Sequence, residues 1–314
     1  MADNYRKLER KRKWINRLLL FMDETRLAGM KYAGDRLHSA QEGNQWIKEA
    51  ILSGEPFMAG RFGASEMNPV IMRECSWGSE AERADADRHI CTDAGFFPCD
   101  SKAVDRYREV FLKAIPSMDL MGIYFFINNE EYMINKYMNK PYCTLPRALE
   151  PFYHEKPWSK ALEGKRVLII NPFTETIKRQ YEKRKVLFVN QDILPEFELK
   201  TIKAVQTVGG QADDRFKNWF EALDYMKSQI AAVDFDIALL GCGAYGIPLQ
   251  AYIKSLGKQS VYVGGGLQIL FGIKGKRWDT HPVISGFYNE HWVRPDKTEK
   301  IENSQSMEMG GPYW

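Results

Sequence analysis

From residue 56 onward the chain switches repeatedly between short apolar runs and longer amphipathic stretches, and this alternation limits the folds open to it more than any other feature. "PFMAGRF" (56–62), "DLMGIYFFI" (119–127), "GKRVLIINPF" (164–173), "LKTIKAVQTV" (199–208), "DFDIALLG" (234–241) and "QSVYVGGG" (259–266) read as strands. "SEMNPVIMREC" (65–75), with Ser65 as N-cap, "SKAVDRYREVFLKAI" (101–115), "TETIKRQYEKRK" (174–185), "DRFKNWFEALDYMKSQI" (214–230) and "GIPLQAYIKSLG" (246–257) read as helices. Strands joined through helices pair in parallel, and a parallel sheet is covered on both faces, which suits runs that are apolar throughout. The expectation is an α/β fold with a Rossmann-like, mostly parallel sheet and helices on both faces.

Before the first strand lies another helical stretch, "GNQWIKEAILSG", stopped by Gly54, so residues 1–50 read as a helical N-terminal extension and 51–314 as the main domain. "PYCTLPRALEPFYHEKPW" (141–158) reads as a connector, and the tail from Lys274 onward as an irregular wrap.

Charge narrows the partners. The net charge of +3 is concentrated in "YRKLERKRKWINR", and no basic stripe recurs, so nucleic acid is not an expected partner. Within residues 5–22, Leu8, Trp14, Ile15, Leu18, Leu19 and Met22 fall at helical spacing among Lys and Arg. That pattern suits a surface helix packed by its apolar stripe, or an interfacial helix drawn to the anionic inner leaflet. "LLLFM" is far too short to span a bilayer. The start shows no apolar signal segment with a cleavage site, and the five cysteines form no C-x-x-C. A cytoplasmic protein with reduced, apolar-packed thiols is expected, peripheral at the membrane if the basic helix binds lipid.

Three segments carry chemistry. Gly241-Cys242-Gly243-Ala244-Tyr245-Gly246 follows a strand and opens a helix, the setting in which backbone N–H groups and a helix N-terminus receive phosphate. The next strand ends in glycines, without the acidic residue that NAD ribose recognition needs, so a nucleoside diphosphate is preferred and no NAD is expected. A tight turn needing small residues for packing is the plain alternative. In the second segment Gly265 and Gln268 precede Lys274, Lys276 and Arg277, cations suited to a diphosphate or, more plainly, to a basic surface loop. The third is Arg61-x-Gly63-x-x-Glu66, at the end of a strand and the start of a helix. A carboxylate there can act as general base or hold a divalent cation, and Arg61 can hold phosphate or orient Glu66. An ion pair bracing a turn is the plain alternative.

"RFGASE", "CTDAGFFP", "GKRVLIINPF…IKRQ", "LLGCGAYGIPLQAYIKSLGK", "GGGLQILFGIKGKRW" and the closing "PYW" together resemble bacterial glycosyltransferases of the GT-D fold, those with an R-x-G-x-x-E motif. The resemblance runs from about Pro56 to the end. It implies transfer of a sugar from a nucleotide sugar, often UDP-linked, to a glycan or lipid-linked glycan of a bacterial surface polysaccharide. It implies Glu66 as catalytic base or metal ligand and Arg61 on the diphosphate. Gly63, Gly241, Gly243, Tyr245, Gly246, Gly265, Gln268, Lys274 and Arg277 are the accompanying nucleotide-sugar candidates. Better-known relatives carry Asp-x-Glu at this turn to hold Mn or Mg; here the segment is Ala64-Ser65-Glu66, so the first carboxylate is missing. Asp85-Ala86-Asp87 reads as a solvated helix, and His89, Cys91 and Asp93 lack the spacing of a zinc site. Two rivals stand beside the transferase: an NAD(P)-dependent oxidoreductase and a non-catalytic nucleotide- or glycan-binding protein.

Overall fold

The computed structural model describes residues 27–76, 78–124, 130–211, 213–301, 303, 305, 307 and 310–314. The basic helix expected over 5–22 lies outside them. A hairpin, β1 (Lys31–Tyr32) and β2 (Asp35–Arg36), precedes a sheet of seven strands. These are β3 (Met58–Arg61), β4 (Leu120–Gly122), β5 (Tyr142–Thr144), β6 (Arg166–Asn171), β7 (Glu198–Lys203), β8 (Ile237–Leu240) and β9 (Gln259–Tyr262). They lie in the order β5-β4-β3-β9-β8-β6-β7, and every neighbouring pair is parallel. The α/β, Rossmann-like reading therefore holds.

The sheet separates two apolar layers, and period-two alternation decides which side chain enters which. Leu168, Ile170, Ala238 and Leu240 point into one layer with Phe62, Met67, Tyr107, Phe111 and Trp219. Val167, Ile169, Ile237 and Leu239 point into the other with Trp158, Ile177, Leu267 and Phe271. The exposed Glu198 and Lys203 at the ends of edge strand β7 set charge on that edge.

Helices α1 (Ala40–Ser53), α2 (Ala64–Glu74), α3 (Glu80–Ala94), α4 (Ser101–Ala114) and α5 (Glu130–Tyr137) belong to the first half of the chain. The second half holds α6 (Thr174–Glu182), α7 (Arg184–Leu187), α8 (Trp219–Ala231), α9 (Gly246–Ser255) and α10 (Leu267–Leu270). Their ends are written in the sequence: Ser39 with Glu42, and Ser79 with Glu82, close capping boxes, while Gly54 and Gly95 end α1 and α3 in the left-handed region. The boundary drawn at residue 50 falls inside α1, whose Ile47 and Ile51 are buried against the sheet. Asn44 exchanges hydrogen bonds with the backbone at Lys156 and Trp158, at 2.9 and 2.8 Å.

Two expectations need correction. The N-cap of α2 is Gly63, not Ser65: the chain is still extended there, and Met67 N–H donates the first helical bond to the Gly63 carbonyl at 2.9 Å. Cys91 and Cys99 are disulfide-bonded, not free thiols. The chain folds back after α3 and brings their Cα atoms to 5.9 Å, which the eight-residue spacing does not reveal. Cys143 and Cys242 are buried free thiols. Among the described residues no helix is long and apolar enough to cross a membrane.

Candidate active site

In an open parallel sheet, ligands meet the carboxyl ends of strands where the strand order reverses. Here the chain leaves β3 toward β4 and β5 on one side, while β9 closes against its other side. A cleft of about 450 Å³ opens there, and its wall follows the strand ends from β4 to β7. Arg61, Glu66, Tyr124, Asn171, Thr207, Gly241, Gly243, Tyr262, Gly265 and Arg277 are among its lining residues.

The Arg-x-Gly-x-x-Glu spacing acquires a physical meaning at the head of α2. Glu66 is the third residue of the helix, so its side chain points back over the N-cap. A Cβ on Gly63 would lie 2.0 Å from Glu66 Oε2 and 2.5 Å from its Cδ. Gly63 has φ −92° and ψ 145°, open to any residue, so glycine is required there for space and not for backbone freedom. Its own backbone N–H and the Tyr262 hydroxyl favour the charged carboxylate, while the Tyr262 hydroxyl donates to the Gly243 carbonyl at 3.3 Å. Burial pushes the Glu66 carboxyl above its ordinary range; the Arg61 charge opposes this, and Asp93 reinforces it.

Arg61 ends β3 with its guanidinium 5.1 Å from the Tyr124 ring centroid and 5.7 Å from that of Tyr262. It lies against Gly264, where a Cβ would stand 2.5 Å from Nη2 and where φ is +66°. Burial alone would lower its pKa, but Tyr124, Tyr262, Glu66 and Tyr313 around it outweigh that and raise it. Arg61 and Glu66 act on one another through space. Among the described residues the guanidinium's contacts are with tyrosine rings, Gly264 and the Phe62 carbonyl, and it forms no ion pair with Glu66.

The structure gathers Arg61, Gly63, Glu66, Gly241, Gly243, Gly265, Gln268 and Arg277 around the cleft. It places Tyr245, Gly246 and Lys274 elsewhere. Tyr245 is buried and stacks on Trp219 with centroids 5.1 Å apart. Gly246 faces Tyr262, whose ring would be 2.4 Å from a Cβ, so this glycine serves helix–strand packing. Lys274 sits over the Tyr288 ring. Gln268 lines the cleft but spends its amide on the Ile273, Lys274 and Tyr313 carbonyls. Of the connector and the tail, the tail reaches the cleft, through Arg277, Met307, Tyr313 and Trp314.

Sequence reasoning passed over Tyr262, Tyr124 and Asn171, which carry no motif; their position at strand ends was the available signal. It also set aside Asp93, which lines the cleft and is held by His89 Nδ1 at 2.8 Å. The neighbouring Asp-x-Asp is structural: Asp87 receives two bonds from Arg73, at 2.7 and 2.9 Å, and Asp85 one from Arg88. The head of α6, a ready anion site, already holds the buried Glu299 carboxylate, which accepts from Glu175 N–H at 2.8 Å and from the Thr176 hydroxyl. Among the described residues, no three His, Cys, Asp or Glu side chains are grouped to hold a metal ion.

No family model matches the chain, and no curated protein matches it. Among solved structures, a selenomethionine-substituted structure of domain of unknown function 1792 (DUF1792) is similar over 90% of this chain and 96% of that chain. The identity is 12% and the TM-score 0.45. The fold and the site described above rest on this chain's own strand pairing and side chains.

Proposed function

We propose that the chain is a glycosyltransferase that moves a sugar from a nucleotide sugar, UDP-linked, to a glycan acceptor in bacterial surface polysaccharide synthesis. The observation that carries the reading is a half-buried guanidinium beside a carboxyl of raised proton affinity on one wall of a glycine-lined cleft. The resemblance of the quoted blocks to GT-D glycosyltransferases supports it. In a direct displacement the acceptor hydroxyl oxygen attacks the anomeric carbon and gives its proton to Glu66. The bond from that carbon to the diphosphate oxygen breaks, and its electron pair leaves with the diphosphate. Arg61 and the N–H groups of the glycine turns face the charge that develops there. Burial suits Glu66 to this work, because a base is most useful when its pKa approaches the working pH.

The test combines binding with turnover. A thermal-shift panel of UDP, GDP, CMP, UDP-sugars and NAD(P) reads donor class by mass action. The donor that raises the melting temperature is then assayed for sugar transfer or slow hydrolysis. Glu66→Gln is expected to abolish turnover while the chain stays folded and nucleotide binding persists. Stabilisation by NAD(P) alone would establish the oxidoreductase instead, and binding without turnover in either form the non-catalytic protein. For a lipid-linked acceptor, residues 5–22 hold the enzyme at the inner leaflet; unchanged vesicle flotation after their deletion would remove that part.

A further inference from the structure

We infer that this site neutralises the leaving diphosphate with the Arg61 guanidinium in place of a divalent cation. The inference rests on the transferase reading and makes it more specific. Mn and Mg sites that handle diphosphates take one or two carboxylates with open lone pairs, and near-octahedral oxygen geometry. The residues here do not fit that set. Position 64, where Asp-x-Glu relatives place their first carboxylate, is alanine. Glu66, the motif's single carboxylate, is folded back over Gly63 at the head of α2. Asp93, the other carboxylate on the cleft wall among the described residues, is held by His89.

The cation is already present. Arg61 stands at the end of a central strand, within reach of the turn after β9, because Gly264 offers no side chain in its way. Tyr124 and Tyr262 flank it and hold the planar group in place. A dication beside Glu66 would also face this fixed positive charge, an unfavourable arrangement in a partly desolvated cleft. A guanidinium presents a rigid fork of donors matched to two phosphate oxygens, and it needs no loading step. Arg277, on the same cleft, is placed to take the second phosphate. No step of the displacement above then passes through a metal.

UDP is the probe, titrated by calorimetry into the full chain in EDTA and again in Mn²⁺. The expected result is the same dissociation constant within about twofold. Arg61→Ala is expected to weaken UDP by about tenfold or more, the loss of one charged hydrogen-bonding partner, and Mn²⁺ is not expected to restore it. Arg61→Lys, which keeps the charge and loses the fork, is expected to fall between. If Arg61→Ala fails to fold, Arg61→Lys and the wild-type EDTA comparison decide. UDP binding that requires Mn²⁺, with an Mn²⁺ electron-paramagnetic-resonance signal lost in Glu66→Gln, would overturn the inference and leave the transferase reading standing. No UDP binding under either condition would overturn both.

Discussion

Replacing Gly63 by alanine separates the catalytic role proposed for Glu66 from its contribution to the fold. An alanine Cβ would stand 2.0 Å from Glu66 Oε2, where ordinary contact begins at 3.4 Å, so the carboxylate must retreat by roughly 1.4 Å. The obstructed atoms are the far end of a flexible side chain, and the backbone at φ −92° accepts alanine. Relief therefore comes from swinging Glu66 aside, not from moving α2. Alanine is a poorer N-cap than glycine, at a cost of about 1 kcal/mol or less, which lowers the melting temperature by roughly 2 °C in a chain of this size. A catalytic group displaced by about 1 Å typically loses a factor near 10² in rate, or about 2.7 kcal/mol in the barrier. Gly63→Ala is thus expected to remain folded by circular dichroism and to bind UDP, while kcat for donor turnover drops about a hundredfold. Turnover within about threefold of wild type, at unchanged melting temperature, would refute the claim that the carboxylate's place over Gly63 matters.

Gly246→Ala presses on the rigid Tyr262 ring instead of a flexible tip, and is expected to cost about 1–3 kcal/mol of stability, read as a clear fall in melting temperature. The acid limb of the kcat/KM profile is expected above the ordinary glutamate range, since burial raises the Glu66 pKa; a limb at or below that range would contradict the base assignment. In stability the same group acts in the opposite direction. The folded chain holds this proton more tightly than the unfolded one, so its contribution declines as pH rises from the ordinary glutamate pKa through the folded one, visible as a difference between wild type and Glu66→Gln in melts across pH. Reduction of Cys91–Cys99 frees a loop of eight-residue separation, worth about 2.5 kcal/mol by chain entropy, or about 4 °C in melting temperature. A melting temperature unaffected by reductant would contradict that.

What was legible in the sequence follows from range. Strands β3, β6, β8 and β9 and the helices α2, α6 and α9 were readable because their apolar pattern is local, whereas α10, a single turn after the glycines, was not. Strand β5 was missed: its three residues sit in a Pro- and aromatic-rich connector and owe their conformation to pairing with β4. Arg61 and Glu66 could be singled out because their spacing is short. The Gly-x-Gly-x-x-Gly turn was read as one unit, yet it divides: Gly241 and Gly243 border the cleft, whereas Gly246 makes room for an aromatic ring from the next strand. Tyr262, Asp93 and the disulfide depend on contacts between distant elements, which no local pattern encodes.

The pairing of β3 with β9 also governs when the site can exist. Met58 lies opposite Ser260, and Ala59 opposite Val261. The strand that delivers Arg61 therefore has no neighbour on one side until some two hundred further residues have been made. On a ribosome adding about 5–20 residues per second, this central strand waits many seconds for its partner. The half-sheet β3-β4-β5 must stay protected through that interval, and the loop closure that protects it also assembles the cleft. Truncation before residue 259 is then expected to produce a chain with an unpaired central strand edge and a tendency to aggregate, not a smaller folded unit.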